Sequence, residues 1–285
     1  MDDKLIEKII YEIDQHQNEI QRIIPYLNNE PSLDKRMLDI LRRLKLKNHF
    51  VELSTNMSGF TSKVSDAIVS ERLVDELRIS LFGGNCDDYH KIMPNLCYDD
   101  IISKIEYLIS INRDNQNLID IKIVIILYPE IDMKNTVSEI EKHFPDIEVF
   151  TFGFLDRASN LENLKNKKVL EDEESKDFIL QGCDLNRPFE RVCILSNGKV
   201  ILCSQDWDRE VELGNVSHQN IFDIWNGELF EKERCRIVGK TFSPPNYICR
   251  RCKLVRIRRD GSDDVVMNFL GDAYMDKEDH VLLNV

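Results

Sequence analysis

No stretch of this chain approaches the roughly 18 consecutive apolar residues that a membrane span requires. Its start, Met1-Asp-Asp-Lys-Leu-Ile-Glu-Lys, lacks the basic and apolar zones of a secretory leader. The expectation is a cytoplasmic protein with no membrane partner. Positive charge is scarce too: a formal net charge of −13 leaves no basic footprint for nucleic acid. The one basic run, Arg250-Arg251 with Lys253, Arg256, Arg258 and Arg259, reads as a solvated edge. Internal repeats and low-complexity tracts are missing. At 42% hydrophobic and 31% charged over 285 residues, the composition excludes a disordered chain and allows one large domain or two modest ones.

Cysteine, by contrast, is plentiful. Eight cysteines are many where thiols stay reduced and disulfides are rare, which turns attention to metal or catalysis. Six of them lie between residues 183 and 252.

Ahead of that cluster the apolar pattern switches between periods of 3.6 and 2. Helices are expected over 5–13, 37–44, 64–73, 101–109 and 137–143, and strands over 21–27, 50–54, 77–81, 119–127 and 147–154. Single helices between strands predict βαβ units and a parallel sheet covered by helices. The series opens on a helix, whereas such a layer usually opens on a strand. Residues 156–178 read as a polar linker. Beyond it come short strands and turns at Asn197-Gly198 and Gly214-Asn215, then an acidic tail from Asp260 with no evident role.

Cys249-Arg-Arg-Cys252 lets two sulfurs face one metal from a single turn, a spacing shared by zinc knuckles and redox dithiols. Pro244-Pro245-Asn246 before it suits a loop better than the helix start of a redox dithiol. Around Asn197-Gly198, residues 192–196 and 199–202 predict a hairpin that sets Cys203 on a strand end near Cys183. Four thiolates from a hairpin and a C-x-x-C loop can enclose one metal centre, either an iron–sulfur cluster or a tetrahedral zinc. Four-thiolate zinc sites usually use two knuckles, and this chain has one. Cys193 reads as a buried thiol, Cys235 as a helical one, and Cys86 and Cys97 as too far apart for a ligand pair.

Cys183, then Arg187-Pro-Phe, Asn197-Gly-Lys-Val-Ile-Leu-Cys203-Ser-Gln-Asp206, Leu213-Gly-Asn-Val, Ile221-Phe-Asp-Ile-Trp225 and Cys249-x-x-Cys252 together resemble the SPASM/twitch domain that follows the barrel of many radical SAM enzymes. The spacing is most similar to the short twitch form, which holds one auxiliary [4Fe–4S] cluster, as in aminocyclitol dehydrogenases. The resemblance implies Cys183, Cys203, Cys249 and Cys252 as its ligands.

Residues 23–31, ending in Asn28-Asn-Glu-Pro31, are similar to the strand and Gly-Gly-Glu-Pro motif of the radical SAM partial (β/α)6 barrel, with asparagines replacing both glycines. Residues 51–56 resemble its third strand, 77–83 its fourth, and 154–157 the end of its sixth. The resemblance implies Glu30 and Ser80 as remnants of an S-adenosyl-L-methionine (SAM) site. No C-x-x-x-C-x-x-C motif, which ligates the SAM-cleaving cluster in that family, occurs in the 285 residues.

The expected architecture is α/β: a partial radical-SAM-like barrel lacking its first strand (1–160), a linker (161–178), a small α+β SPASM/twitch domain (179–260) and a tail (261–285). The expected protein binds its auxiliary cluster and does not cleave SAM in this form. SAM would serve only with a restored N-terminus, on which a strand and the three-cysteine motif are expected to precede Met1. The family's substrates are sugars, aminocyclitols or peptides, and which applies is not legible. The competing expectation is a non-catalytic iron–sulfur protein that binds a partner or transfers electrons.

Overall fold

The structure is a computed structural model that describes residues 1–128, 131–153, 157–158, 178–259 and 265–267. The chain folds as two compact units. Among the described residues, one comprises 14–128 with 131–153, and the other 1–13, 157–158, 178–259 and 265–267. The linker at 161–177, the strand end at 154–156 and nearly all of the tail fall outside the described residues.

In chain order the elements are α1 (Asp3–Gln15), α2 (Met37–Lys45), β1 (Glu52–Thr55), α3 (Ser62–Ser70), β2 (Glu76–Leu81), α4 (Cys86–Ile92), α5 (Tyr98–Asp114), β3 (Asp120–Leu127), α6 (Met133–His143) and β4 (Glu148–Gly153). There follow β5 (Phe178–Cys183), α7 (Arg187–Glu190), β6 (Cys193–Ile194), β7 (Lys199–Ile201), β8 (Glu212–Asn215), α8 (Ile221–Trp225), α9 (Glu228–Ile237), α10 (Ile248–Arg251), β9 (Val255–Arg259) and β10 (Val265–Met267).

The first unit is a parallel sheet in the order β1-β2-β3-β4. Alternation along each strand sorts its residues to two faces. Leu77, Ile79 and Leu81 of β2, with Ile121, Ile123 and Ile125 of β3, are buried on one face. Leu41, Ile68, Ile101, Ile105 and Leu108 on the crossover helices are buried as well. The helices start where side-chain oxygens accept the free amides of the first turn: Thr61 from Val64, Asn85 from Asp88 and Asp132 from Asn135. The segment expected as a strand over 21–27 makes a single parallel bridge, Ile23 to Val51. Pro25, with no amide hydrogen, cannot carry the ladder further. Helix α4 was not expected; its apolar content is too small to show a period.

The other face of this sheet is charged. Glu52, 2% exposed, pairs with Arg22 and, at 3.2 Å, with Arg78, and accepts the Tyr26 hydroxyl at 3.2 Å. Burial, and next the Glu52 charge, push the Tyr26 phenol well up. Glu76 shares Arg78 and lies 3.5 Å from Arg22. Removing one partner of such a buried set leaves the others uncompensated. Glu52→Ala is therefore expected to destabilise this unit by about 3 kcal/mol, read as an earlier loss of far-UV circular dichroism in urea; an unchanged midpoint would show the network to be dispensable.

In the second unit β5, β9 and β10 form one antiparallel sheet in the order β10-β9-β5, and β6-β7-β8 form another. Their core includes Leu180, Val200, Leu202, Leu213, Phe230 and Ile257. The hairpin forms as expected, with Gly198 at φ +84°, a left-handed conformation open to glycine at no steric cost. Helix α1 corrects an expectation. The expected 1–160 barrel domain includes it. Instead Leu5 belongs to the core of the cysteine-bearing unit, with Met1, Ile9 and Ile13 packed against it. Glu12 Oε2 accepts the Ile221 amide at 2.9 Å, and Lys8 Nζ reaches the Gln219 carbonyl at 2.7 Å. The helix thus satisfies the start of α8.

Candidate metal centre

Three separate pieces of chain deliver the four cysteines. Cys183 ends β5, opposite Val255 of β9. The Asp184 amide bonds the Leu254 carbonyl at 2.8 Å, which holds this end of β5 against the chain just past Cys252. Cys203 follows β7 in a turn closed by the Asp206 amide on the Cys203 carbonyl at 3.1 Å. Asp206 is 1% exposed, and its carboxylate accepts the Glu210 and Val211 amides at 2.8 and 3.0 Å. These bonds brace the loop that carries Cys203. Cys249 lies in α10 and Cys252 at its end, so the C-x-x-C spacing spans one helical turn where a loop was expected.

Cys249 and Cys252 are buried, and Cys183 and Cys203 are half-buried. Burial pushes the Cys249 thiol well up, with the charges of Cys203, Cys252 and Cys183 adding to it. Cys252 is pushed up to about 12 by burial first and by Cys203 and Cys183 after it. Cys203 is raised by burial and also feels Cys183. The charges of Cys203 and Cys183 thus reach both thiols of the C-x-x-C turn. Among the described residues no three His, Cys, Asp or Glu side chains are grouped tightly enough to hold a single ion. The donor set is sulfur alone, which suits iron–sulfur centres and thiolate zinc.

The other cysteines lie outside these three pieces. Cys193 is buried on β6, its thiol pushed up to about 12 by burial. Cys235 is on α9 with its sulfur 3.4 Å from Glu231. Cys86 opens α4, and Cys97 precedes α5.

The matched segment decides what this unit is. Residues 183–253 match the model of the SPASM iron–sulfur cluster-binding domain. Residues 183–253 are a SPASM domain. A curated relative, the S-adenosyl-L-methionine-dependent 2-deoxy-scyllo-inosamine dehydrogenase of Niallia circulans, is 26% identical over 70 residues, which is 25% of this chain and 28% of that one. The match therefore spans little more than a quarter of the relative's length. Solved structures extend the likeness of fold beyond the SPASM domain. BtrN in complex with AdoMet and 2-DOIA superposes with a TM-score of 0.52 at 16% identity, over 90% of this chain and 80% of that one. Streptococcus suis SuiB bound to the precursor peptide SuiA gives 0.61 at 15%, over 87% and 63%. An anSMEcpe structure with bound AdoMet gives 0.57 at 13%, over 89% and 78%. The α/β unit and the SPASM domain together have the fold of radical SAM enzymes that carry this domain.

The two residues singled out in the α/β unit hold different positions there. Glu30 precedes a short 3-10 turn, Pro31–Leu33. Its Oε1 accepts the Ser32 amide at 3.0 Å, the Ser32 hydroxyl at 2.5 Å and the Thr55 hydroxyl at 2.6 Å. Its Oε2 accepts the Asn56 amide at 2.7 Å. The carboxylate fastens this turn to the end of β1, and its remaining capacity is on Oε2. An open groove of about 620 Å3 runs past Asn29, Glu30, Leu33 and Arg36. Ser80 lies on the charged face of β2, its hydroxyl 3.3 Å from that of Ser54. Arg187, a landmark of the domain in the sequence, is buried, and its guanidinium bonds the hydroxyl of Ser204, the residue after Cys203.

Among the described residues no helix is long and apolar enough to cross a membrane.

Proposed function

We propose that Cys183, Cys203, Cys249 and Cys252 hold one auxiliary [4Fe–4S] cluster, and that these 285 residues do not cleave SAM reductively. What supports the first part is that the end of β5, the turn after β7 and α10 carry these four cysteines within the segment that matches the SPASM model. When bound, the cluster supplies one-electron chemistry. The chain's own part is to bring the sulfurs together and shield them. Pairing of β5 with β9 sets Cys183 beside the α10 turn, and the Asp206 bonds hold the Cys203 loop closed. Because burial raises the Cys203, Cys249 and Cys252 thiols, loading must release their protons.

The second part rests on ligand chemistry. A SAM-cleaving cluster needs three cysteines spaced C-x-x-x-C-x-x-C, and no such motif occurs in the sequence. Dithionite-treated, reconstituted protein is expected to release no 5′-deoxyadenosine from SAM above a no-protein control. Release well above that control would overturn this half of the reading and leave the cluster assignment standing.

The relatives' names suggest the substrate class: an aminocyclitol for the dehydrogenase and a peptide for SuiB. Small polyols and peptides are thus the ligands to try first. The missing motif also favours a second reading, in which the cluster passes electrons to, or organises, a partner protein.

A further inference from the structure

The SPASM unit buries a cation for which no described carboxylate supplies a partner. Arg187 opens α7 four residues after Cys183 and is 9% exposed. Asn186 in the left-handed conformation turns the chain into this helix, and its amide bonds the Cys183 carbonyl at 3.0 Å. The position of Arg187 is thereby tied to a proposed ligand. Its Nη1 donates to Ser204 Oγ at 2.8 Å, on the residue next to Cys203. Its Nε is buried with no hydrogen-bond partner, and no ion pair of Arg187 occurs among the described residues.

A buried guanidinium stays charged and is costly without an anion. One serine hydroxyl is a neutral partner and does not supply that anion. Four thiolates around a [4Fe–4S] centre leave it anionic in either redox state. We propose that Arg187 is the fixed counter-cation of the auxiliary cluster, setting its reduction potential and making cluster binding the event that answers the buried charge. This rests on the four-thiolate reading above. Reduction adds one electron and makes the centre more negative, so a fixed positive charge nearby stabilises the reduced form more than the oxidised one. The potential is raised as a result.

The test compares wild type with Arg187→Met, Arg187→Gln and Arg187→Lys, each reconstituted anaerobically and analysed for iron. The midpoint of the loaded proteins is read by a redox titration followed by electron paramagnetic resonance. Denaturant stability of the metal-free proteins is read by tryptophan fluorescence. Arg187→Met and Arg187→Gln are expected to titrate at more negative potential, with Arg187→Lys keeping most of the wild-type value. Metal-free Arg187→Met is expected to unfold at higher denaturant than metal-free wild type. The proposal is overturned if loaded Arg187→Met titrates with wild type, or if the Lys variant shifts as far as the Met one. Should the neutral variants fail to load, the metal-free comparison decides: greater stability of Arg187→Met supports the proposal, and equal or lower stability overturns it. Wild type that takes up no iron would instead remove the four-thiolate reading itself.

Discussion

Protein reconstituted anaerobically with iron and sulfide is expected to be brown and to hold about four irons and four sulfides per chain, while Cys249→Ala holds none. Cys249 is the most informative position because it is buried and feels all three of the other thiols. Without it, three thiolates remain around a centre built for four, and the site loses a buried ligand. Cys193→Ala is the matched control. That thiol is equally buried and lies near Cys203, but it sits within the β6–β7 pairing, opposite Ile201. It is expected to retain the full complement. Stoichiometric zinc in protein made with ample iron, with no colour after reconstitution, would assign the four sulfurs to a zinc site instead. Equal iron loss in the Cys249 and Cys193 variants would mean that the ligand set has been drawn wrongly.

The second large effect belongs to helix α1. Leu5 is part of the core of the SPASM unit, and Glu12 is 7% exposed with its carboxylate on the Ile221 amide. Leu5→Ala removes buried methyl groups at a cost of about 2–3 kcal/mol. Glu12→Ala leaves a buried amide hydrogen without its acceptor, costing about 1–3 kcal/mol. The double variant is expected to lose at least about 3 kcal/mol. The chain offers a clean reporter, since both of its tryptophans, Trp207 and Trp225, lie in this unit. A tryptophan-monitored denaturation should move to lower denaturant for these variants. It should stay in place for Leu41→Ala, which empties a fully buried position in the other unit. A tryptophan transition indifferent to Leu5 and Glu12 would show that the helix is not part of that unit's cooperative core.

The proposed centre is read from chemistry that is mostly local in sequence. The C-x-x-C spacing places two sulfurs within one turn, and Asn197-Gly198 specifies a hairpin whose far end carries Cys203. The domain landmarks between these points supplied Cys183. The strands of the α/β unit were equally legible where β-branched runs are long, as in β3. They failed at 21–27, where Pro25 interrupts the ladder and apolar residues alone cannot show it. Helix α4, Cys86–Ile92, carries too few apolar residues to announce itself.

By itself, the sequence determined which atoms could bind metal, since residue type and short spacing decide ligand chemistry, and it determined the alternation of helix and strand, since periodicity records which residues leave water. Only the tertiary structure decided where each buried surface goes. The apolar stripe Leu5, Ile9 and Ile13 fits any apolar partner, because the hydrophobic effect is non-directional, and its place in the SPASM core depends on the Glu12 and Lys8 contacts with residues some 200 positions away. The same holds for Arg187. A motif marks it as present, but only packing shows that its charge is buried against Ser204 with no described carboxylate to meet it.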